Sequence, residues 1–227
     1  MCQRGIFRTR HQGFTLVEVL VAMMIMAILA VLAWQGVDGI VRSRDASQAR
    51  MDQTLRLNTV LAQWEQDLAS IQEIPAAPAI SFDGITLRLI RRTGEGLQWV
   101  AWSLRTTDVP GQYHLLRWAS PSIVNGQDLH NLWLRSQQLM GSEPGQLRTL
   151  SGLSQWQVYF FRGNSWSNAQ SSGDVQANLG GAPGQSPAGS RFEDLPSGVR
   201  LVLTFAPGRG LQGTLTRDIA LGPIWRP

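Results

Sequence analysis

The sequence predicts an α+β protein: a long N-terminal helix, one half suited to a membrane and the other amphipathic, packed on an antiparallel β-sheet domain. Three observations carry this. The run from Phe14 to Trp34 is apolar and holds a single ionisable side chain, Glu18. The stretch from Leu57 to Ile71 repeats its large apolar residues at helical spacing. Beyond Pro78 the apolar period falls from about 3.6 residues to about 2, the change from helix to strand.

The apolar run comes first. Its twenty-one residues, at about 1.5 Å per residue, match the ~30 Å hydrocarbon core of a bilayer. Glu18 is the anomaly, because a lone carboxylate inside a spanning helix costs at least ~2.5 to 3.5 kcal/mol. Nothing from Val19 to Trp34 can pair with it. A cut between Gly13 and Phe14 would supply a partner, since the new Phe14 amine lies one helical turn before Glu18. A carboxylate so close to a helix N-terminus is also favoured by the helix dipole. Cleavage as a secretory signal is the competing reading. Val31-Leu32-Ala33 offers small residues before a cut that would start the chain at Trp34, but the apolar region is longer than a usual signal and has Glu18 near its start.

Past the apolar run, Gly36 and Gly39 predict a weakened helix and a bend, and Ser43 to Arg50 is polar. Leu57, Val60, Leu61, Trp64, Leu68 and Ile71 then fall on one helical face, and Pro75 and Pro78 are expected to end the helix. Three strands follow as an antiparallel meander: Ile85, Leu87 and Leu89 after an Asp83-Gly84 turn, then Leu97 to Arg105, then Gln112 to Trp118. The middle run is apolar on both faces, Trp99 on one and Val100, Trp102 and Leu104 on the other, which predicts a central strand covered by the helix on one side. Between 119 and 150 the pattern is weaker, with Asp128 as the expected cap of a short helix carrying Leu129, Leu132, Trp133 and Met140. Trp156 to Phe161 reads as a strand. The Gly- and Ser-rich stretch over about residues 163–193 reads as a long flexible loop, and Val199 to Phe205 and a last run to Leu221 complete the sheet. The expected division is therefore 1–13, a short basic leader; 14–36, the apolar helix; 37–74, the amphipathic helix; and 79–227, the β-rich domain.

Composition narrows the chemistry. All twenty basic residues are arginine, which removes a P-loop lysine, a Schiff-base lysine and a Ser-Lys dyad. Without residues 1–13 the chain carries seventeen arginines against sixteen acids, so the high pI gives no nucleic-acid signal. The one cysteine, Cys2, precedes Gly13, and a chain starting at Phe14 has no disulfide. His114 and His130 have no second His or Cys at ligand spacing, so no metal and no cofactor are expected. Gly184-Gln185-Ser186-Pro187-Ala188 lacks the strand and helix that give a nucleophile elbow its use, and no catalytic residue is assigned. Of the nine tryptophans, Trp133, Trp166 and Trp225 are the candidates for contact with a partner.

Gly13-Phe14-Thr15-Leu16-x-Glu18-Val19-Leu20, behind a basic leader and ahead of an apolar helix, resembles the class III signal of type IV pilins and type II secretion pseudopilins. The resemblance implies that a prepilin peptidase cuts after Gly13 and methylates the amine of Phe14. It further implies that Glu18 is the carboxylate that docks the subunit in a filament core. Arg4, Arg8 and Arg10 then hold the N-terminus in the cytoplasm, with the β domain in the periplasm and a single pass through the inner membrane. Leu61-x-x-Trp64-Glu65-x-Asp67-Leu68, Val100-x-Trp102-x-Leu104 with Leu115-x-Arg117, and Leu195-Pro196-x-Gly198-Val199-x-Leu201 are similar to the J-type minor pseudopilins. That narrower resemblance implies a pseudopilin fold and assembly with I-, K- and H-type partners at the tip of a secretion pseudopilus, without enzymatic activity. A minor pilin of a type IV pilus or DNA-uptake filament shares the same architecture.

Overall fold

The computed structural model describes residues 13–141, 143–169, 194–208 and 210–222. They fall into two units, divided within the first helix between Ala49 and Arg50. That helix, α1 (Leu16–Ala69), contains 54 residues. In its first unit every large apolar side chain from Phe14 to Val41 lies open at the surface. Gly36 and Gly39 do not interrupt it. The polar stretch after them stays helical and exposed, with the Arg42 guanidinium on the Asp38 carboxylate one turn earlier.

The second unit is α+β, as the change of period predicts. Eight strands among the described residues form one antiparallel sheet: β1 (Ile80–Phe82), β2 (Thr86–Thr93), β3 (Gly96–Thr106), β4 (Tyr113–Ala119), β5 (Gln146–Arg162), β6 (Ser165–Asn168), β7 (Gly198–Phe205) and β8 (Gly213–Ala220). The order is β1-β2-β3-β4-β5-β7-β8. β5 is long enough for two partners on one edge. Leu153 pairs with both Tyr113 and Phe205, and Tyr159 with both Asn168 and Arg200, so β4 and β6 line the same edge of β5 and β7 the other.

The helical stripe packs as its spacing predicts. Leu57, Val60, Trp64 and Leu68 are buried against Leu87, Leu89, Val100, Trp102, Leu153 and Trp156. Trp64 sits at the centre, edge-on to Trp102 at 5.4 Å and to Trp156 at 6.3 Å between ring centroids. The opposite face of β3 buries Trp99 and Ala101 under a second helix, α2 (Gly126–Gln137). Trp133 stacks at 4.8 Å from Trp99, whose indole N–H donates to the Leu129 carbonyl at 3.1 Å. β3 is the two-faced central strand that its sequence predicts.

Four local expectations are corrected. The helix stops at Ala69, well before Pro75, because the next residues join the sheet: the Gln72 amide donates to Ile90 O at 2.9 Å and the Arg92 amide to Ser70 O at 2.8 Å. Asp128 is not the cap of α2; Asn125 is, its Oδ1 accepting the Asp128 amide at 2.8 Å, and Met140 lies beyond the helix, exposed. Ile85 is outside the strand and half-exposed, since the Asp83 carboxylate takes the amides of Ile85 and Thr86 and turns the chain there. Residues 165–168, expected within a loop, form β6 against β5; the rest of that expected loop, 170–193, lies outside the described residues, as does Ser186.

What fixes the helix on the sheet is Asp67, which is fully buried. It receives a bidentate fork from Arg117 (Nε and Nη2, each 2.8 Å), Arg91 Nη1 at 2.8 Å, the Trp102 indole at 2.9 Å and Gln63 Nε2 at 3.0 Å. Three strands, β2, β3 and β4, thus converge on one turn of α1. Removing the carboxylate would leave the buried Arg117 guanidinium and the part-buried Arg91 guanidinium without their counter-charge. Asp67→Ala should therefore lower the unfolding free energy by about 3 to 5 kcal/mol, more than an average core truncation. Denaturant unfolding followed by tryptophan fluorescence measures this, and a loss below about 1 kcal/mol would show that the ion cluster is peripheral to stability.

Candidate functional site

The candidate site is the start of α1. Gly13 and Phe14 precede the first helical turn and are exposed, Phe14 at 87%, and among the described residues nothing beyond its chain neighbours crowds the Gly13 α-carbon. The peptide bond between them is therefore outside helical hydrogen bonding and sterically open. Thr15 is the N-cap and Glu18 the third helical residue, and they close a capping box. Thr15 Oγ1 accepts the Glu18 amide at 3.3 Å, while Glu18 Oε2 takes both the Thr15 amide and the Thr15 hydroxyl at 3.0 Å. The other oxygen, Oε1, accepts nothing from any described residue.

This geometry gives Glu18 a local role at the start of its own helix. The carboxylate accepts the Thr15 amide, a donor at the helix start that has no acceptor within the helix, while the Thr15 hydroxyl takes the Glu18 amide. The T-x-x-E spacing was a readable sequence signal of this. Around Glu18 the helix surface is apolar, with Phe14, Val19, Ala22, Met23 and Met26 lining a shallow depression beside it. α1 is also long and apolar enough to cross a membrane.

A family model, the prokaryotic N-terminal methylation motif, matches residues 8–34. The chain carries a prepilin-type N-terminus. This indicates a pilin-like protein, handled by a prepilin peptidase, assembled in the pilin manner and anchored by a single apolar helix. No curated protein matches the chain. Among the described residues no group of three His, Cys, Asp or Glu side chains could hold a metal ion.

The expected partner-contact residues are scattered. Trp133 is half-buried, held between Trp99 and the Arg88 guanidinium, 5.8 Å from its ring centroid. Trp166 is half-buried beside Phe161, with Arg200 stacked at 4.3 Å. Arg200 in turn grips Asp218 through Nε and Nη2 at 2.7 and 2.6 Å, and this fork holds the Asp218 carboxyl below its usual pKa. Trp225 lies outside the described residues.

If the capping box sets the start of α1, Thr15→Val should fray its first turn. Losing a cap of about 1 kcal/mol predicts roughly fivefold faster hydrogen exchange at the Glu18 amide in micelles. An unchanged rate would mean that the Thr15 hydroxyl contributes nothing there.

Proposed function

We propose that this chain is a J-type minor pseudopilin of a type II secretion system. In this reading prepilin peptidase cuts after Gly13 and methylates Phe14, and Arg4, Arg8 and Arg10 keep the leader cytoplasmic while the β domain faces the periplasm. The processed subunit joins I-, K- and H-type partners at the pseudopilus tip, without catalysis. Burial of the Phe14 to Trp34 surface among like helices drives assembly.

The observation that carries the reading is the pairing of an uncovered apolar helix with a carboxylate whose Oε2 is tied to Thr15 and whose Oε1 accepts nothing from the described residues. That oxygen suits the amine of a neighbouring subunit. A second observation supports the J-type assignment. Of the residues on which the narrower resemblance rests, Trp64, Asp67, Leu68, Trp102 and Arg117 meet where the helix packs on the sheet, whereas Glu65 lies at the surface beside Arg217. Trp133, Trp166 and Trp225 remain the proposed partner contacts.

Two linked outcomes test this. Glu18→Ala should leave processing intact but reduce recovery in filaments by about tenfold, the loss of one charge-assisted contact between helices. The wild-type chain should co-purify with I- and K-type subunits. Normal filament incorporation of Glu18→Ala would remove the docking role, and co-purification with type IV pilus subunits instead would assign the chain to a pilus.

A further inference from the structure

The face of the sheet turned away from α1 carries three basic side chains from three adjacent strands. Leu104 and Leu115 are register partners and pack on the α1 side. Their chain neighbours Arg105 and His114, also register partners, therefore share the opposite face. Leu116 lies on that face as well, opposite Arg148 of β5, which brings Arg148 diagonally to His114. The Arg105 guanidinium is held by the carbonyl of Leu139, just past α2, through Nη2 at 2.6 Å.

The cluster has more hydrogen-bonding capacity than its surroundings use. Arg105 Nε and His114 Nδ1 are shielded from solvent and have no hydrogen-bond partner. Neither Arg105 nor Arg148 forms a salt bridge among the described residues. Burial and the Arg148 charge push the His114 pKa below its usual value, against the weaker opposite pull of Asp108 in the turn between β3 and β4. Two guanidiniums on one face, neither paired with a carboxylate among the described residues, repel each other and are relieved when an anion arrives. We propose that Arg105, His114 and Arg148 form a binding site for an oxyanion, a carboxylate or a phosphate group.

The guanidiniums supply forked donors suited to such a group, and the imidazole adds a donor once protonated. An anion seated there stabilises His114 in its charged form, so occupancy strengthens as pH falls through the usual histidine range and below it. The charges acting on the ring are Arg148 from β5 and Asp108 from the turn, with Arg105 its register partner on β3. The site does not rest on the function proposed above, since it belongs to the sheet and not to the prepilin helix.

The test uses the full chain in detergent micelles with labelled histidine, observing the His114 ring by NMR, assigned by its loss in His114→Gln. Sodium phosphate is titrated in one arm and a blocked triglutamate peptide in the other, each against sodium chloride at equal ionic strength. The His114 signal should move saturably toward the protonated form while His130 stays put, and Arg148→Gln should weaken the response by about tenfold. A response to the peptide at lower concentration than to phosphate identifies a protein carboxylate as the source; the reverse identifies a free oxyanion. The proposal is overturned if neither probe moves His114 more than chloride does. It is equally overturned if the double variant Arg105→Gln and Arg148→Gln, with native tryptophan fluorescence, responds as wild type does.

Discussion

From Phe14 to Trp34 this chain presents an apolar helix that none of its own described residues covers. Water is a poor surrounding for such a surface, at about 25 cal/mol per Å² of apolar area, so a bilayer or other helices must supply the cover. A hydrocarbon environment in turn demands that every backbone donor and every carboxylate be satisfied. The capping box meets part of that demand locally: the exposed end of α1 and its only ionisable side chain neutralise each other's needs through Thr15. One oxygen of Glu18 is left for a contact outside the described residues, and the functional reading grows from that remainder.

The second unit solves a different problem, how to hold one amphipathic helix on a sheet in a single register. Apolar burial is non-directional and would tolerate a shift of the helix along its stripe. Asp67 does not tolerate it, because a slip of one turn would strand Arg91 and Arg117 in the interior. The network extends outward, with Arg91 also donating to Gln98 Oε1 at 3.0 and 2.7 Å and Gln98 in turn donating to the Ser120 carbonyl. With a single cysteine in the whole sequence, no disulfide within the chain can do this work. A buried ion pair is weak evidence for net stability but a good device for uniqueness, and here it selects which turn of α1 meets which strands.

Much of this was legible in the sequence. The stripe from Leu57 to Leu68 is buried as its spacing predicts, and Trp99 and Trp102 do line opposite faces of the central strand. What escaped were features decided by partners far away in the chain. Asp67 lies two residues from Glu65 in sequence, and only Arg91 and Arg117, arriving from β2 and β4, make it a buried ion partner, while Glu65 is at the surface, paired with Arg217. The early end of α1 escaped for the same reason, since the β2 edge captures Ser70 and Gln72 before any proline intervenes. β5 is seventeen residues long, but Gly152 at φ +77° and two shifts of register near it break the alternation that marks a strand. By contrast, Asn125 and Thr15 were legible as caps, each a side-chain oxygen three residues before the amide it accepts.

The account turns on the N-terminus that the processed chain presents to its surroundings. Intact-mass measurement of the protein recovered from assembled filaments examines it directly. The recovered chain should start at Phe14 and carry one N-methyl group, a mass gain of one CH2. Filaments built from chains that still carry residues 1–13, or that start at Trp34, would contradict it.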